Sequence, residues 1–290
     1  TAYMKANFPV EFTTAVMTAE SDDTDKISAA VAECAKMGII VLPPDINTSK
    51  TGFNIENLDK KEKLAKQAKY DMAIRFGFSA IKNVGKAAID AIISERDANG
   101  QFTSIDDLIT RVNLRAVNRK TLESLIKAGA LDNFGKRNAM LKILDEIKAS
   151  GSSLSKSIAI GQGTLFDEKQ MQDTVKSSSN YKDILELTDE APKEEILSWE
   201  RELLGLYLTE HPLAKYTQQI ENVASAKIGE IETFTHNNKN LKLAGIIASI
   251  RKTITKVRKE EMCFLKLQDT SGTLEVIVFP KTYAQTRDII

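Results

Sequence analysis

Between residues 79 and 150, apolar residues recur at helical spacing in a succession of short groups, a pattern that fits an array of small packed helices. Ile89, Ile92 and Ile93 share one face. Ile105, Leu108, Ile109 and Val112 share another, behind a capping-box-like Ser104-x-x-Asp107. Leu122, Leu125 and Ile126 form a third group, and Met140, Leu144 and Ile147 a fourth.

Upstream, Pro9 opens a helix over about 8–20, and a second helix from about Asp25 is expected to stop at Gly38. Ile39 to Leu42 reads as a buried strand ended by Pro43-Pro44, and 72–78 as extended. After Ala149, Ser150-Gly151-Ser152-Ser153 opens a Ser/Gly-rich stretch to about Asn180, which predicts a linker. Helical character returns around Trp199, Leu203 and Leu204. From Leu241 the pattern turns to strands, at 241–250, 262–269 and 273–279, with Leu274, Val276 and Val278 alternating in the last.

The totals exclude several classes. Lys+Arg and Asp+Glu stand at 40 each, so a basic surface must be local. Cys34 and Cys263 have no partner spacing for zinc or for a disulfide framework. That usage fits a reducing cytoplasm. No apolar run approaches the roughly 18 residues of a membrane span, and no signal peptide is visible. The chain opens on Thr1, not Met, and closes on Arg287-Asp288-Ile289-Ile290, directly after strand-like sequence, which reads as a piece of something longer. The only histidines, His211 and His236, are not marked as a pair, and no phosphate loop or convincing paired-carboxylate metal site is present.

Four segments point to binding. Ile81-Lys82-Asn83-Val84-Gly85-Lys86 has the form of a helix-hairpin-helix turn. Amides at the start of its second helix suit a phosphate, Gly85 allows close approach, Asn83 tolerates a left-handed turn, and Lys82 and Lys86 add charge. The same pattern is also that of any two helices joined by a glycine turn. A second hairpin around Gly129 is less basic and by itself reads as a packing turn; in tandem with the first it could straddle a duplex. Gln162-x-x-Leu165-Phe166, inside the Ser/Gly stretch, has the form of a sliding-clamp-binding peptide or of a linker docking on its own domain. The expected loop with Arg251, Lys252, Lys256, Arg258 and Lys259 fits a single-strand-binding loop or a solvated hairpin tip.

Longer pieces carry a family resemblance. Tyr3 to Phe12, Met37-Gly38-Ile39 and Leu42 to Asn47 resemble the distal fingers of the alpha subunit of bacterial DNA polymerase III, the C-family replicative polymerase. Ile74 to Gly85 resembles that family's first hairpin, Leu122 to Asp132 its second, and Glu202 to Leu213 the segment before its OB domain. The resemblance implies a multidomain, mostly α chain followed by a truncated β OB-fold. Its divisions are distal fingers over 1–58, tandem hairpins over 59–150, a clamp-peptide linker over 151–180, a helical connector over 181–236 and OB-fold over 237–290.

It further implies template-directed DNA synthesis by the parent enzyme, with two Mg²⁺ ions whose aspartate ligands lie outside this sequence. The implied partners are primed DNA, both duplex and single-stranded, the sliding clamp and other holoenzyme subunits, with no membrane. This chain alone is expected not to polymerise. The alternatives are a stand-alone hairpin-plus-OB binding scaffold and the error-prone paralogue.

Overall fold

A computed structural model describes residues 1–58, 68–158, 181–210, 212–231, 240–255, 258–269 and 271–289. The chain divides into two compact units, Thr1–Thr209 and Glu210–Ile290.

The first unit opens with helices α1 (Ala2–Asn7), α2 (Pro9–Ala19) and α3 (Thr24–Met37). Pro9 takes the first position of α2, where a missing N–H costs nothing. Asp23 caps α3 by accepting from Asp25 N and Lys26 N, both at 3.1 Å, and Gly38 ends it with φ +76°. Strands β1 (Ile40–Leu42), β2 (Asn54–Asn57) and β3 (Met72–Arg75) form a sheet ordered β1-β3-β2, with β1 parallel and β2 antiparallel to β3.

The helical array follows: α4 (Lys86–Asn99), α5 (Ile105–Arg111), α6 (Arg119–Lys127), α7 (Arg137–Ile158), α8 (Tyr181–Leu187) and α9 (Lys193–Leu203). Ser104 caps α5 by accepting from Asp107 N at 3.1 Å. The Asp107 carboxylate reaches back to Thr103 N at 3.0 Å, one residue short of the capping-box partner that the sequence pattern implies.

Helix α7 runs to Ile158, through the Ser/Gly run where composition predicts a linker. Adding residues to an existing helix costs far less than starting one, and a single glycine weakens it by only about 1 kcal/mol.

One apolar core joins sheet and helices. Val10 and Met17 come from α2, Ile27 and Cys34 from α3, and Ile74 from β3, with Phe76 and Phe78 just beyond it. Ile92, Leu108, Leu125, Ile126, Met140 and Ile143 come from the helical array. The loop after Pro43 is tied into this core by Arg96, whose Nη1 donates to Ile46 O at 3.0 Å and Ser49 O at 2.9 Å.

At Gly77 two backbone segments cross closely. A Cβ there would lie 2.4 Å from the Gly52 carbonyl carbon and 2.7 Å from Phe53 N. Both neighbours are backbone, so Gly77→Ala is expected to destabilise the first unit by about 1–3 kcal/mol, as overpacking does. Urea unfolding checks this; an unchanged midpoint would show that the 50–53 segment moves aside freely.

The second unit holds α10 (Thr217–Val223), a sheet of β4 (Ile246–Ile254), β5 (Glu261–Gln268) and β6 (Thr273–Val278) in that order, and α11 (Pro280–Thr286). Both strand pairs are antiparallel. The β5–β6 turn is built on Asp269, which accepts from Ser271 N at 2.7 Å and Gly272 N at 2.9 Å. Helix α11 follows the last expected strand, where the sequence pattern predicts no element, and its Tyr283 is buried with Cys263, Leu265 and Val278. Among the described residues, no helix is long and apolar enough to cross a membrane.

Candidate nucleic-acid interface

The first hairpin is a 3₁₀ turn over Phe78–Ala80, a tight turn, and then α4. Ile81, Val84 and Ala88 point into the core, so the turn has a fixed seat. That leaves Lys82, Asn83, Gly85 and Lys86 exposed. The turn closes through Val84 N donating to Ile81 O at 3.3 Å. Asn83 takes the left-handed conformation, with φ 67°, while Gly85 is extended at φ −80°, ψ 159°. Gly85 therefore supplies room rather than a special dihedral: a Cβ on it would meet nothing within 4 Å. It precedes α4 without a side-chain cap, and the first turn of α4 carries no acidic residue. Amides without a side-chain cap, the positive end of a helix and two exposed lysines lie at this open turn, which suits a phosphate.

Three contacts that sequence reasoning missed hold this turn. Thr121 Oγ1 donates to Asn83 O at 3.3 Å, and Asn83 Nδ2 to Ser124 Oγ at 3.4 Å, both on α6. Lys82 N donates to Leu203 O at 3.0 Å, at the end of α9. Lys120 in the first turn of α6 is also exposed, and that turn too lacks an acidic residue. No local signal links residues about forty or a hundred and twenty positions apart; only packing does.

The second hairpin is of another kind. Gly129 has φ +85° and is buried. A Cβ on it would lie 2.4 Å from Arg137 Nη2. Gly129, expected among the DNA-contacting residues, is buried, and its bare α-carbon makes way for a guanidinium. Arg137 donates through Nε to Asp132 Oδ1 at 2.9 Å, through Nη2 to Asp132 Oδ2 at 2.8 Å and through Nη1 to Lys127 O at 3.0 Å. Glu200 Oε1 lies 3.6 Å from Nη1, and both side chains are almost wholly buried. Burial disfavours the Arg137 charge, but the bonds and charges of Asp132, Glu200 and Glu190 outweigh it and hold its pKa above the ordinary value.

In the second unit the basic residues separate. Arg251 and Lys252 lie in β4 and not in a loop. β-branched Thr253 and Ile254 extend the strand, and pairing with β5 runs as far as Ile254 opposite Glu261. Successive strand residues face opposite sides. Arg251 stands opposite Phe264, its guanidinium 4.6 Å from the ring centroid, in line with Ile277 of β6. Lys252 stands opposite buried Cys263, on the other face. Arg258 and Lys259 are exposed in the β4–β5 connection, where Lys259 has φ 54°. Lys256 lies outside the described residues. The single basic loop of the sequence reading is therefore divided between two sheet faces and a turn.

A family described as "Helix-hairpin-helix motif" matches residues 38–141, the region of both hairpins. The whole chain is 32% identical to DNA polymerase III subunit alpha of Borreliella burgdorferi, of which it covers 24%. Over 96% of the chain it is 34% identical to the subunits of the same name from Vibrio cholerae and Escherichia coli, covering 22% of each. This chain is similar to a segment of DNA polymerase III subunit alpha.

The chain spans about a quarter or less of the length of these curated relatives. The likeness to polymerase III alpha runs through both units, and the expected architecture of helices followed by a small β region is present. The hairpin residues Lys82, Asn83, Val84, Gly85 and Lys86 come together in one turn, with Val84 inside and the rest outside. Gln162, Leu165 and Phe166 lie outside the described residues.

Proposed function

We propose that this chain is the DNA-gripping and clamp-tethering part of a bacterial replicative DNA polymerase. The observation that supports it most directly is the exposed first hairpin, within a region that matches the helix-hairpin-helix family. It presents uncapped amides and two lysines to an anion, with its apolar residues locked inside. Contacts of that kind hold a phosphate backbone without reading sequence.

In this reading the sheet of β4, β5 and β6 belongs to an OB-fold over 237–290 that takes single-stranded template. Arg251 on Phe264 offers a flat cationic and aromatic surface on which a base can stack. Gln162, Leu165 and Phe166 bind the sliding clamp, and other holoenzyme subunits dock elsewhere on the polymerase. DNA synthesis and its Mg²⁺ ions belong to the longer protein. Similarity to polymerase subunits across the whole chain favours this over a stand-alone binding scaffold.

The test is binding to fluorescent primed DNA over a salt series. A Lys82→Ala, Lys86→Ala double variant is expected to weaken binding evenly across sequences. Its log–log salt slope should fall by about two, at roughly 0.9 per lost phosphate contact. An unchanged slope would assign the hairpin to packing alone.

A further inference from the structure

In a helix-hairpin-helix an anion rests against amides at the start of a helix. At the start of α7 that place is already taken. Arg137 N donates to Glu190 Oε2 at 3.2 Å, and Asn138 N donates to Glu190 Oε1 at 3.2 Å. Ala191 N also donates to Oε1, at 2.8 Å. The flanking donors are committed to the same short stretch. Lys136 Nζ donates to Thr188 O at 3.1 Å, and Asn138 Nδ2 to Asp189 O at 3.2 Å. Gly135, just before α7, faces α8: a Cβ on it would lie 3.1 Å from Leu185 Cδ2. The segment that brings Glu190 is therefore packed in place.

Charge makes the same point. A phosphate arriving at α7 would meet the carboxylates of Glu190 and of half-exposed Asp132. A phosphate arriving at α4 meets no acidic residue in the first turn, and lysines at 82 and 86. The two hairpins share helix α6. Its side carries Thr121 and Ser124, which hold Asn83 of the first hairpin. Its last carbonyl, Lys127 O, is held by Arg137 of the second.

We infer that Glu190 is a built-in substitute for phosphate, which closes the amino end of α7 to nucleic acid and makes the Gly129 turn a brace that holds α6 under the first hairpin. This deepens the proposed DNA-binding reading, but the occupancy of the α7 amino end stands or falls without it.

The experiment uses the full chain labelled with ¹⁵N and titrated separately with inorganic phosphate and with a random-sequence DNA duplex. In the unaltered chain the Arg137 and Asn138 amide signals are expected to stay in place with both. Glu190→Ala should lower Tm by roughly 2–4 °C, the loss of one helix cap in a unit of this size. Inorganic phosphate, and not chloride at equal ionic strength, should restore part of that loss and move the same two amide signals. Glu190→Gln keeps the shape and loses the charge, so it should fall between the two and serves if the alanine variant does not fold.

Movement of the Arg137 and Asn138 signals in the unaltered chain on adding phosphate or duplex would overturn the inference, because the seat would then be open. So would a Glu190→Ala chain with unchanged Tm and no response to phosphate. If duplex moves no signal anywhere, the DNA-binding reading fails, and the phosphate titration still decides the role of Glu190.

Discussion

Arg137→Ala is expected to destabilise the first unit by about 3–5 kcal/mol, the cost typical of breaking a buried ion pair from one side. The side chain is 4% exposed and touches three partners at once: Asp132, the Lys127 carbonyl and Glu200. Asp132 can turn to water, since its side chain is 47% exposed. Glu200 cannot, at 1% exposed. Its Oε2 keeps the amides of Leu208 at 2.9 Å and Thr209 at 3.2 Å, but the buried charge would have lost its cation.

The chain has one tryptophan, Trp199, which is buried in the first unit one residue before Glu200. Urea unfolding followed by its fluorescence therefore reports on that unit. Adding Glu200→Gln to the alanine variant should recover part of the loss, because it removes the stranded charge. A loss below about 1 kcal/mol for Arg137→Ala, in the range of exposed pairs, would mean that the network is not what holds the second hairpin.

Replacing Leu165 and Phe166 together by alanine is expected to abolish binding to the sliding clamp. The affinity of a short peptide rests on a few apolar anchors, each worth about 2 kcal/mol or more where it fills a pocket. Gln162→Ala should cost less, since a hydrogen bond at the rim of a pocket contributes about 1 kcal/mol. A pull-down with the purified clamp tests both, and retained binding by the double variant would defeat the assignment. DNA affinity measured without clamp should be unchanged, because the tether acts by raising local concentration rather than by adding a DNA contact.

Much of the architecture is legible from short stretches of chain. Pro9 opens a helix because its fixed φ suits that position, and Gly38 closes one because it alone enters the left-handed region without cost. The helical spacing of Ile105, Leu108 and Ile109 and the alternation of Leu274, Val276 and Val278 each name a buried face. The first hairpin belongs to the same class, since its two buried apolar positions, Ile81 and Val84, and its exposed polar ones lie within six residues.

What the tertiary structure decided is who meets whom across long separations. Gly129 and Gly85 look alike as turn glycines, yet one is buried over Arg137 and the other faces open space. Arg251 and Lys252 are neighbours in sequence, and the pleat sends them to opposite faces once β4 pairs with β5. Glu190 reaches the start of α7 from more than fifty residues away. Sequence by itself determined most of the elements, though not α11 or the far ends of α7 and β4, because propensity, capping and periodicity act within a few residues. Only the folded chain determined which helix end stays free for an anion, because that depends on which distant carboxylate packing delivers to it.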